Sequence, residues 1–255
     1  MKRLIQSFLE KFGYTIRRTA TLRGYEPGSI TRPIGKHNLF LEDVRARGFV
    51  PRGIIDVGAF NGEWTKMVLP IFPGTAILMI EPQDEMQPFL SELVKSAPNC
   101  HIVKAGVGRE TGELFQTIWE DYAGSSFLPP LNPVLVQSNK QRKTRIVTID
   151  DLLSKDFPQL IPDLVKLDIQ GFELEALSGA ETLFGRAEIF ILETSLFSFE
   201  KNCPLLREVI SFMAERKYEL YDVPGYCRRP SDGALGQLDL AFVKANGMFR
   251  KNTDW

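Results

Sequence analysis

The chain has 255 residues, of which 44% are hydrophobic and 25% charged, and this composition fits one α/β domain with extensions. The formal net charge of −1 provides no basic field for nucleic acid, and three widely spaced cysteines indicate a reducing, cytoplasmic compartment rather than a disulfide framework. Two histidines exclude a histidine-rich metal centre, and no apolar run reaches the roughly 18 residues that span a bilayer.

Residues 1–36 differ from the rest and are predicted to form an N-terminal extension and linker. Apolar residues at helical spacing make one stripe: Met1, Leu4, Ile5, Phe8, Leu9 and Phe12. Up to position 23 the sequence contains six basic residues and one acidic residue. The pattern predicts an amphipathic helix that either associates peripherally with an anionic inner-membrane surface or packs on its own domain or a second subunit; packing is favoured. Residues 24–35 are rich in Gly and Pro, as linkers are.

From residue 37 to 249 strand-like and helix-like segments alternate, and 250–255 form a short tail. Predicted strands cover 53–57, 75–81, 101–104, 114–119, 145–149, 164–168, 188–193, 218–223 and 238–244. Predicted helices cover 37–48, 62–72, 84–96, 150–153, a segment from 172, and 204–217. This alternation is typical of a doubly wound, Rossmann-like sheet with helices on both faces, and the last two strands are predicted to form a hairpin.

The first strand runs into a glycine turn, in the segment IIDVGAFNGE at 54–63. Gly58 and Gly62 are four residues apart, and a predicted helix begins directly after them. In an α/β fold this arrangement lets backbone approach a bound cofactor at the carboxyl end of the first strand, and Asp56 can reach the same crevice. An ordinary strand-to-helix connection is the alternative interpretation.

The second strand closes on Glu81, and Pro82 stops it there. An acidic residue at this place in such folds accepts hydrogen bonds from two ribose hydroxyls. The pattern D-x-G-x-x-x-G differs from the dinucleotide fingerprint, because Phe60 stands at the middle glycine position. The sequence therefore favours an adenosyl cofactor without a pyrophosphate, with an NAD-type enzyme as an alternative.

Acid–base chemistry falls to carboxylates near the carboxyl ends of predicted strands, and the candidates are Asp168, Glu173 and Glu193. Asp168 is the strongest candidate. Glu173 is equally explained as a first-turn helix residue, and Glu193 can pair with a cation. A strand-end carboxylate pair can also hold a divalent cation, but no metal-loop spacing supports one, and no metal site is predicted.

Three surface features bear on an acceptor. The long loop at 123–143 contains Gly124 and the serine pair Ser125 and Ser126, and such loops are often lids or binding loops. Aromatic faces for a sugar are available at Trp64, Trp119 and Tyr122, and Arg228 with Arg229 can bind an anionic acceptor such as a nucleotide sugar. Packing for Trp64 and solvation for the arginines are the plainer alternatives. His37 is a candidate base, with a structural role favoured.

The ordered segments IIDVGAFNGEW, MIEP, VKAGVG, GSSF, TIDDLL and VKLDIQGFELEALSG resemble the FkbM-type family of S-adenosylmethionine-dependent methyltransferases. The resemblance covers about residues 37–245, and its most distinctive part is the strand-end Asp followed by I-x-G-x-E. It implies a seven-stranded, mostly parallel sheet with an antiparallel last strand. It also implies O-methylation of a hydroxyl on a sugar or glycan, as in polysaccharide biosynthesis, or on a secondary metabolite. Phe60 departs from the family, which has Asn at or near that place; here Asn61 follows.

The resemblance also implies the residues of the site. The cofactor-binding positions are Asp56, Gly58, Ala59, Asn61, Gly62, Glu81, Pro82, Ala105, Gly106, Val107, Ser125 and Ser126. Asp56 and the two glycines would line the methionine part, Glu81 would hold the ribose, and residues 105–107 would border the adenine. The serines would lie near the cofactor carboxylate or the acceptor, and Asp168 would face the methyl group. A non-catalytic, membrane-linked scaffold that binds a nucleoside is the alternative function.

Overall fold

The computed structural model describes residues 30–252 and residue 254 of the chain. The predicted amphipathic helix of residues 1–23 lies outside the described residues, as does the first half of the predicted linker, residues 24–29. Within 30–252, the helices are all too short or too polar to cross a membrane.

The helices and strands follow one another in the alternating order that the sequence predicts. The helices are α1 (His37–Ala46), α2 (Glu63–Val68), α3 (Gln87–Ser96), α4 (Pro133–Gln137), α5 (Ile149–Asp151), α6 (Glu173–Ser178) and α7 (Leu206–Glu215). The strands are β1 (Gly53–Val57), β2 (Ala76–Ile80), β3 (Cys100–Val103), β4 (Gly106–Val107), β5 (Gly112–Thr117), β6 (Gln141–Val147), β7 (Pro162–Leu167), β8 (Ile189–Ser195), β9 (Tyr218–Arg228) and β10 (Leu235–Lys244).

The main sheet has seven strands in the order β3-β2-β1-β7-β8-β10-β9. Neighbours from β3 to β8 pair in parallel, whereas β10 runs antiparallel to both β8 and β9. The predicted seven-stranded sheet with an antiparallel last strand is confirmed. Because β1 and β7 are adjacent in space but distant in the chain, the order reverses between them, and ligands bind at such switch points in open α/β sheets.

The central parallel strands β1 and β7 are buried on both faces, so their sequences are nearly continuous apolar runs. On one face, Ile55, Val165 and Phe190 pack with residues of α6 and α7. On the other face, Ile54 and Ile77 pack with residues of α1, α2 and α3. The predicted layer of helices on each side of the sheet is therefore present.

A second sheet, in the order β4-β6-β5, was not predicted as a unit. The expected strands 114–119 and 145–149 are displaced: β5 and β6 begin two and four residues earlier, at Gly112 and Gln141. The reason is that β6 begins with polar residues, which are held in the strand by partners on β5. Lys143 is an example, because its Nζ lies 3.0 Å from the Glu113 carboxylate. An apolar pattern does not detect strands of this kind.

Prolines account for other differences from the predicted boundaries. The helix expected over 62–72 is α-helical only to Val68, because Pro70 has no N–H to continue it. The helix expected over 84–96 is a 3₁₀ turn followed by α3, with Pro88 in the first turn. Strand β9 extends through Pro224, in what was predicted as a loop, because it is an edge strand and its register shifts against β10 there.

Candidate active site

A cavity of about 180 Å³ lies at the carboxyl ends of β1, β2, β7 and β8. Residues singled out in the sequence line much of it: Gly58, Glu81, Pro82, Ala105, Gly106, Val107, Ser125, Asp168 and Glu193. Gln83, Gln116, Phe127 and Gln170 line it as well and were not among the predicted residues. The structure thus brings the strand-end acids together with the predicted adenine-bordering segment.

Other predicted residues do not line this cavity: Asp56, Ala59, Asn61, Gly62, Ser126 and Glu173. Asp56 is fully buried on the opposite face of the sheet, because neighbouring residues of a strand point to opposite sides and Val57 takes the cavity side. Its carboxylate accepts a 2.7 Å hydrogen bond from Thr65 of α2. Asn61 accepts from the N–H of Glu63 at the start of α2, a structural contact.

Gly58 is required by the protein's own backbone. Its φ is +72°, and a Cβ at this position would collide with the carbonyl oxygen of Asp168. The close approach joins the ends of β1 and β7, where the N–H of Asp168 donates to the carbonyl of Val57 at 3.1 Å. The absence of a side chain at Gly58 therefore sets how near Asp168 lies to the glycine turn.

Glu81 is buried and links the second strand to the turn after the first. Its carboxylate accepts one backbone N–H from Phe60 and one from Gln83, each at 2.9 Å. Burial raises the pKa of Glu81, and the two N–H donors offset only part of this rise. Phe60 has φ of +49°, an uncommon conformation for a residue with a side chain, and the bond to Glu81 holds it there. Glu81 also lines the cavity.

Two carboxylates, Asp168 and Glu193, share the side-chain amide of Gln170. The Gln170 Nε2 donates to Glu193 Oε2 at 2.9 Å and to Asp168 Oδ1 at 3.3 Å. Burial, followed by the negative charge of Asp168, raises the pKa of Glu193 well above that of an ordinary carboxyl. The ionised carboxylate of Glu193 is therefore a stronger proton acceptor than an ordinary carboxylate.

Lys166 supplies positive charge beneath this pair. Its Nζ lies 3.2 Å from Asp56 and 3.5 Å from Asp168, and it donates to the carbonyl of Gly58 at 3.0 Å. Burial acts to lower the pKa of Lys166, but the charges of Asp56 and Asp168 outweigh it and hold that pKa above its usual range. The lysine is thus a fixed cation that ties β1 to the loop after β7.

His37 and Trp64 belong to a partly buried hydrogen-bonded chain instead of lining the cavity. Trp64 Nε1 donates to His37 Nδ1 at 3.3 Å, so the imidazole proton is on Nε2, which lies 2.8 Å from Asp239. A Cβ at Gly225 would collide with the Asp239 carboxylate, so this glycine leaves room for the chain of contacts. His37 has both ring nitrogens engaged, which favours the structural role.

Glu173 lies under the loop that follows β7 and stabilises that loop. Its carboxylate accepts from the N–H of Ile169 at 2.9 Å and from that of Gly171 at 3.3 Å. It is 3% exposed, and burial raises its pKa to about 7. The position agrees with the alternative interpretation of Glu173 as a first-turn residue of a helix.

We expect Glu173→Gln to flatten the pH dependence of stability. Between the ordinary pKa of 4.5 and about 7, the folded chain binds a proton at Glu173 that the unfolded chain releases. The free energy of unfolding therefore falls as pH rises through this range, by on the order of 3 kcal/mol from this group. Urea unfolding at pH 5 and pH 8 should show a smaller fall in the variant. The exposed Glu215→Gln is the control, and an equal fall in both variants would contradict the assignment.

The loop around the serine pair is fastened to both sides of the site. Gln83 Nε2 donates to the carbonyl of Tyr122 at 3.2 Å, and Ser125 Oγ donates to Gln83 Oε1 at 3.4 Å. Ser126 Oγ donates to the carbonyl of Gln170 at 2.9 Å. Both glutamines follow strand-end acids by two residues, a signal that sequence reasoning could have used.

A second cavity of about 300 Å³ adjoins the first, and Gln170 lines both. Ser126, Trp119 and the predicted arginine pair, Arg228 and Arg229, line the second cavity. Tyr122 and Trp64, the other predicted sugar-stacking aromatics, line neither. Across the part of the chain that the structure describes, no three His, Cys, Asp or Glu side chains cluster closely enough to hold a metal ion.

The sequence matches a family model described as the methyltransferase FkbM domain over residues 56–220, which is more than half of the chain. The matched range contains the first strand end, the glycine turn, Glu81, Asp168 and Glu193. No curated protein matches the sequence significantly.

Solved structures with a similar fold include several methyltransferases. A methyltransferase FkbM from Methylobacillus flagellatus KT is 18% identical with a TM-score of 0.49, and the match covers 74% of this chain and 43% of that one. A precorrin-6y C5,15-methyltransferase from Geobacter metallireducens is 12% identical with a TM-score of 0.45, covering 81% and 87%. The 1,6-didemethyltoxoflavin-N1-methyltransferase of Burkholderia thailandensis, solved with S-adenosylhomocysteine, is 12% identical with a TM-score of 0.45, covering 82% and 79%. This chain thus spans less than half of the Methylobacillus protein.

Proposed function

The chain belongs to the methyltransferase FkbM domain family, and from that premise we propose that it methylates a hydroxyl with S-adenosylmethionine as the donor. The acceptor is a sugar, a glycan of the kind made in polysaccharide biosynthesis, or a secondary metabolite. The observation that carries the proposal is the placement of Glu81 and the Asp168–Glu193 pair around one cavity at the sheet's switch point.

The residues around the cavity fit the cofactor. Glu81 has lone pairs left to accept two ribose hydroxyls, since each carboxylate oxygen uses only one of its two for a backbone N–H. Ala105 and Val107 present apolar surface beside Phe127, which suits a purine ring. Asp168 supplies negative charge where a cationic sulfonium would be bound.

The chemistry asked of the protein is modest, because the sulfonium cofactor supplies a reactive methyl group when it is bound. The acceptor oxygen must lie behind the methyl carbon at roughly 3–3.5 Å. With the cofactor bound, its methyl group would be transferred to the acceptor oxygen with S-adenosylhomocysteine as the leaving group, and Glu193 would accept the hydroxyl proton. Glu193 is favoured over Asp168 as the base because burial and the charge of Asp168 raise the pKa of Glu193, which makes its carboxylate more basic, whereas Asp168 is paired with Lys166.

Two further parts of the proposal concern partners and location. The acceptor is a small molecule or glycan, no nucleic acid is involved, and the reaction takes place in the cytoplasm. Peripheral membrane association or self-association through residues 1–23 stays a prediction.

The test is calorimetric titration of S-adenosylhomocysteine into wild type and Glu81→Ala. We expect binding that the substitution weakens at least about tenfold, or 1.4 kcal/mol, because both ribose hydrogen bonds are lost. Glu81→Gln, which keeps one acceptor oxygen, should fall between the two. The exposed Glu92→Ala on α3 is the matched control.

Three outcomes would count against the proposal. Equal affinity of wild type and Glu81→Ala would remove the ribose role of Glu81. If folded wild type binds NAD but not S-adenosylhomocysteine, the NAD-type alternative replaces the methyltransferase. If it binds the nucleoside but Asp168 and Glu193 variants lose nothing in any assay, the non-catalytic scaffold is favoured.

A further inference from the structure

The second cavity lies where an acceptor would need to be. Its wall toward the first cavity is Gln170, whose side chain holds Asp168 and Glu193 and whose backbone carbonyl accepts from Ser126. Gln170 has φ of +55°, so its backbone turns sharply between the two spaces. A hydroxyl that passes this residue from the second cavity arrives at Glu193.

The lining of the second cavity combines aromatic, uncharged polar and charged side chains. Trp119 and Phe199 contribute aromatic rings, and each residue is at least 37% exposed. Ser195 and Gln237 contribute a hydroxyl and an amide. Aromatic faces pack on the C–H surfaces of sugars, while hydroxyl and amide groups bond to sugar hydroxyls. Such a lining suits a sugar ring.

The charges in this cavity are of both signs. Arg229 is partly neutralised, since its Nε lies 3.5 Å from Asp232 and its guanidinium lies 4.2 Å from the Phe197 ring centre. Arg228 donates from Nη1 to the carbonyl of Gly233 at 3.0 Å, and among residues 30–252 it has no acidic partner. Glu200 also lines the cavity and forms no ion pair within the same residues.

We propose that the second cavity binds the acceptor as an anionic sugar, a sugar that carries a phosphate or a carboxylate. Arg228 receives the anionic group through its guanidinium fork, Glu200 accepts from ring hydroxyls, and the ring packs against Trp119 and Phe199. The reacting hydroxyl points past Gln170 to Glu193. This assignment deepens the proposed function and rests on it for the reaction, although not for binding.

The experiment measures binding of glucose 1-phosphate, glucuronate and glucose to the full chain, with and without S-adenosylhomocysteine. The variants are Arg228→Gln and Arg228→Lys, with the exposed Arg207→Gln of α7 as the matched control. Wild type should bind at least one anionic sugar more tightly than about 1 mM and more tightly than glucose. Comparison of the two anionic sugars distinguishes phosphate from carboxylate recognition.

Arg228→Gln should weaken binding of the anionic sugar at least about tenfold and remove its preference over glucose. Arg228→Lys should retain part of the affinity, because it keeps the charge and loses the fork. Raising the salt concentration should weaken binding of the anionic sugar to wild type and have little effect on its binding to Arg228→Gln. A merely structural arginine would not change this salt dependence.

The assignment is overturned if glucose binds as tightly as both anionic sugars, if none of the three binds, or if Arg228→Gln matches Arg207→Gln. S-adenosylhomocysteine binding is measured in the same samples, so the two proposals can fail separately. Nucleoside binding without anionic-sugar binding rejects only the acceptor assignment. Arg228-dependent sugar binding without nucleoside binding supports the assignment of the second cavity and rejects S-adenosylmethionine as the cofactor.

Discussion

Replacing Glu193 with Gln is expected to lower kcat for methyl transfer by about 10²- to 10⁴-fold, with little change in affinity for S-adenosylhomocysteine. The amide cannot accept the hydroxyl proton, yet it keeps the shape of the side chain. Wild-type kcat should rise with pH above the range of an ordinary carboxyl, since burial and the charge of Asp168 raise the pKa of Glu193. The variant should lose this rise. The measurement is S-adenosylhomocysteine formation with an acceptor that wild type methylates.

Asp168→Asn separates the roles of the two acids. Removing the negative charge of Asp168 lowers the pKa of Glu193, so the rise of kcat should move to lower pH and persist. Glu219→Gln, on an exposed position of β9, is the control. If Glu193→Gln keeps the wild-type pH profile, whereas Asp168→Asn abolishes it, then Asp168 is the base.

Lys166→Met is expected to reduce the free energy of unfolding by about 3–5 kcal/mol, because it leaves buried carboxylates without their cation. Asp56 is the main cause: it is fully buried, and its Oδ1 has no hydrogen-bond partner apart from the nearby lysine charge. Asp168 is 38% exposed in its side chain and contributes less. Urea unfolding at neutral pH is the measurement, with Lys155→Met, an exposed pair with Asp151, as the control.

The double variant Asp56→Asn with Lys166→Met should recover part of the loss, because no uncompensated charge then remains at Asp56. A loss no larger than that of Lys155→Met would show that the buried ion pair does not stabilise the fold. A double variant less stable than Lys166→Met alone would show that Thr65 and its neighbours depend on the Asp56 charge.

The main sheet was predictable because its buried strands carry apolar runs that flanking helices interrupt. The three-stranded sheet was not predictable, because β6 begins with polar and charged residues whose strand conformation depends on pairing with β5. The length of β9 was underestimated, since Pro224 and Gly225 normally end strands but are accommodated on an edge by a register shift. Sequence patterns report burial well and pairing partners poorly.

In the candidate site, the positions of Glu81 and Asp168 directly after β2 and β7 could be read from the sequence, because the carboxyl ends of parallel strands meet at one edge. The strand that was expected to end at Glu193 continues to Ser195, because Thr194 and Ser195 still pair with β10. Asp56 was assigned to the cavity, but a shift of one residue along a strand reverses the face, and no local signal says which face holds the cavity. Gln83 and Gln170 were not predicted: their spacing from Glu81 and Asp168 is visible in the sequence, but their hydrogen-bond partners, the Tyr122 carbonyl and Glu193, belong to distant elements.

Because of its contact with Asp168, the presence of Gly58 in a related sequence does not by itself indicate that a cofactor is bound. A side chain there would displace the Asp168 carbonyl in an empty protein as much as in a loaded one. Selection to keep this glycine can therefore outlast the loss of a cofactor, and a descendant with no activity would still carry it. Glu81 is a more informative marker, because a degenerate lineage that no longer needs a ribose site would be free to satisfy the Phe60 and Gln83 N–H groups with another acceptor.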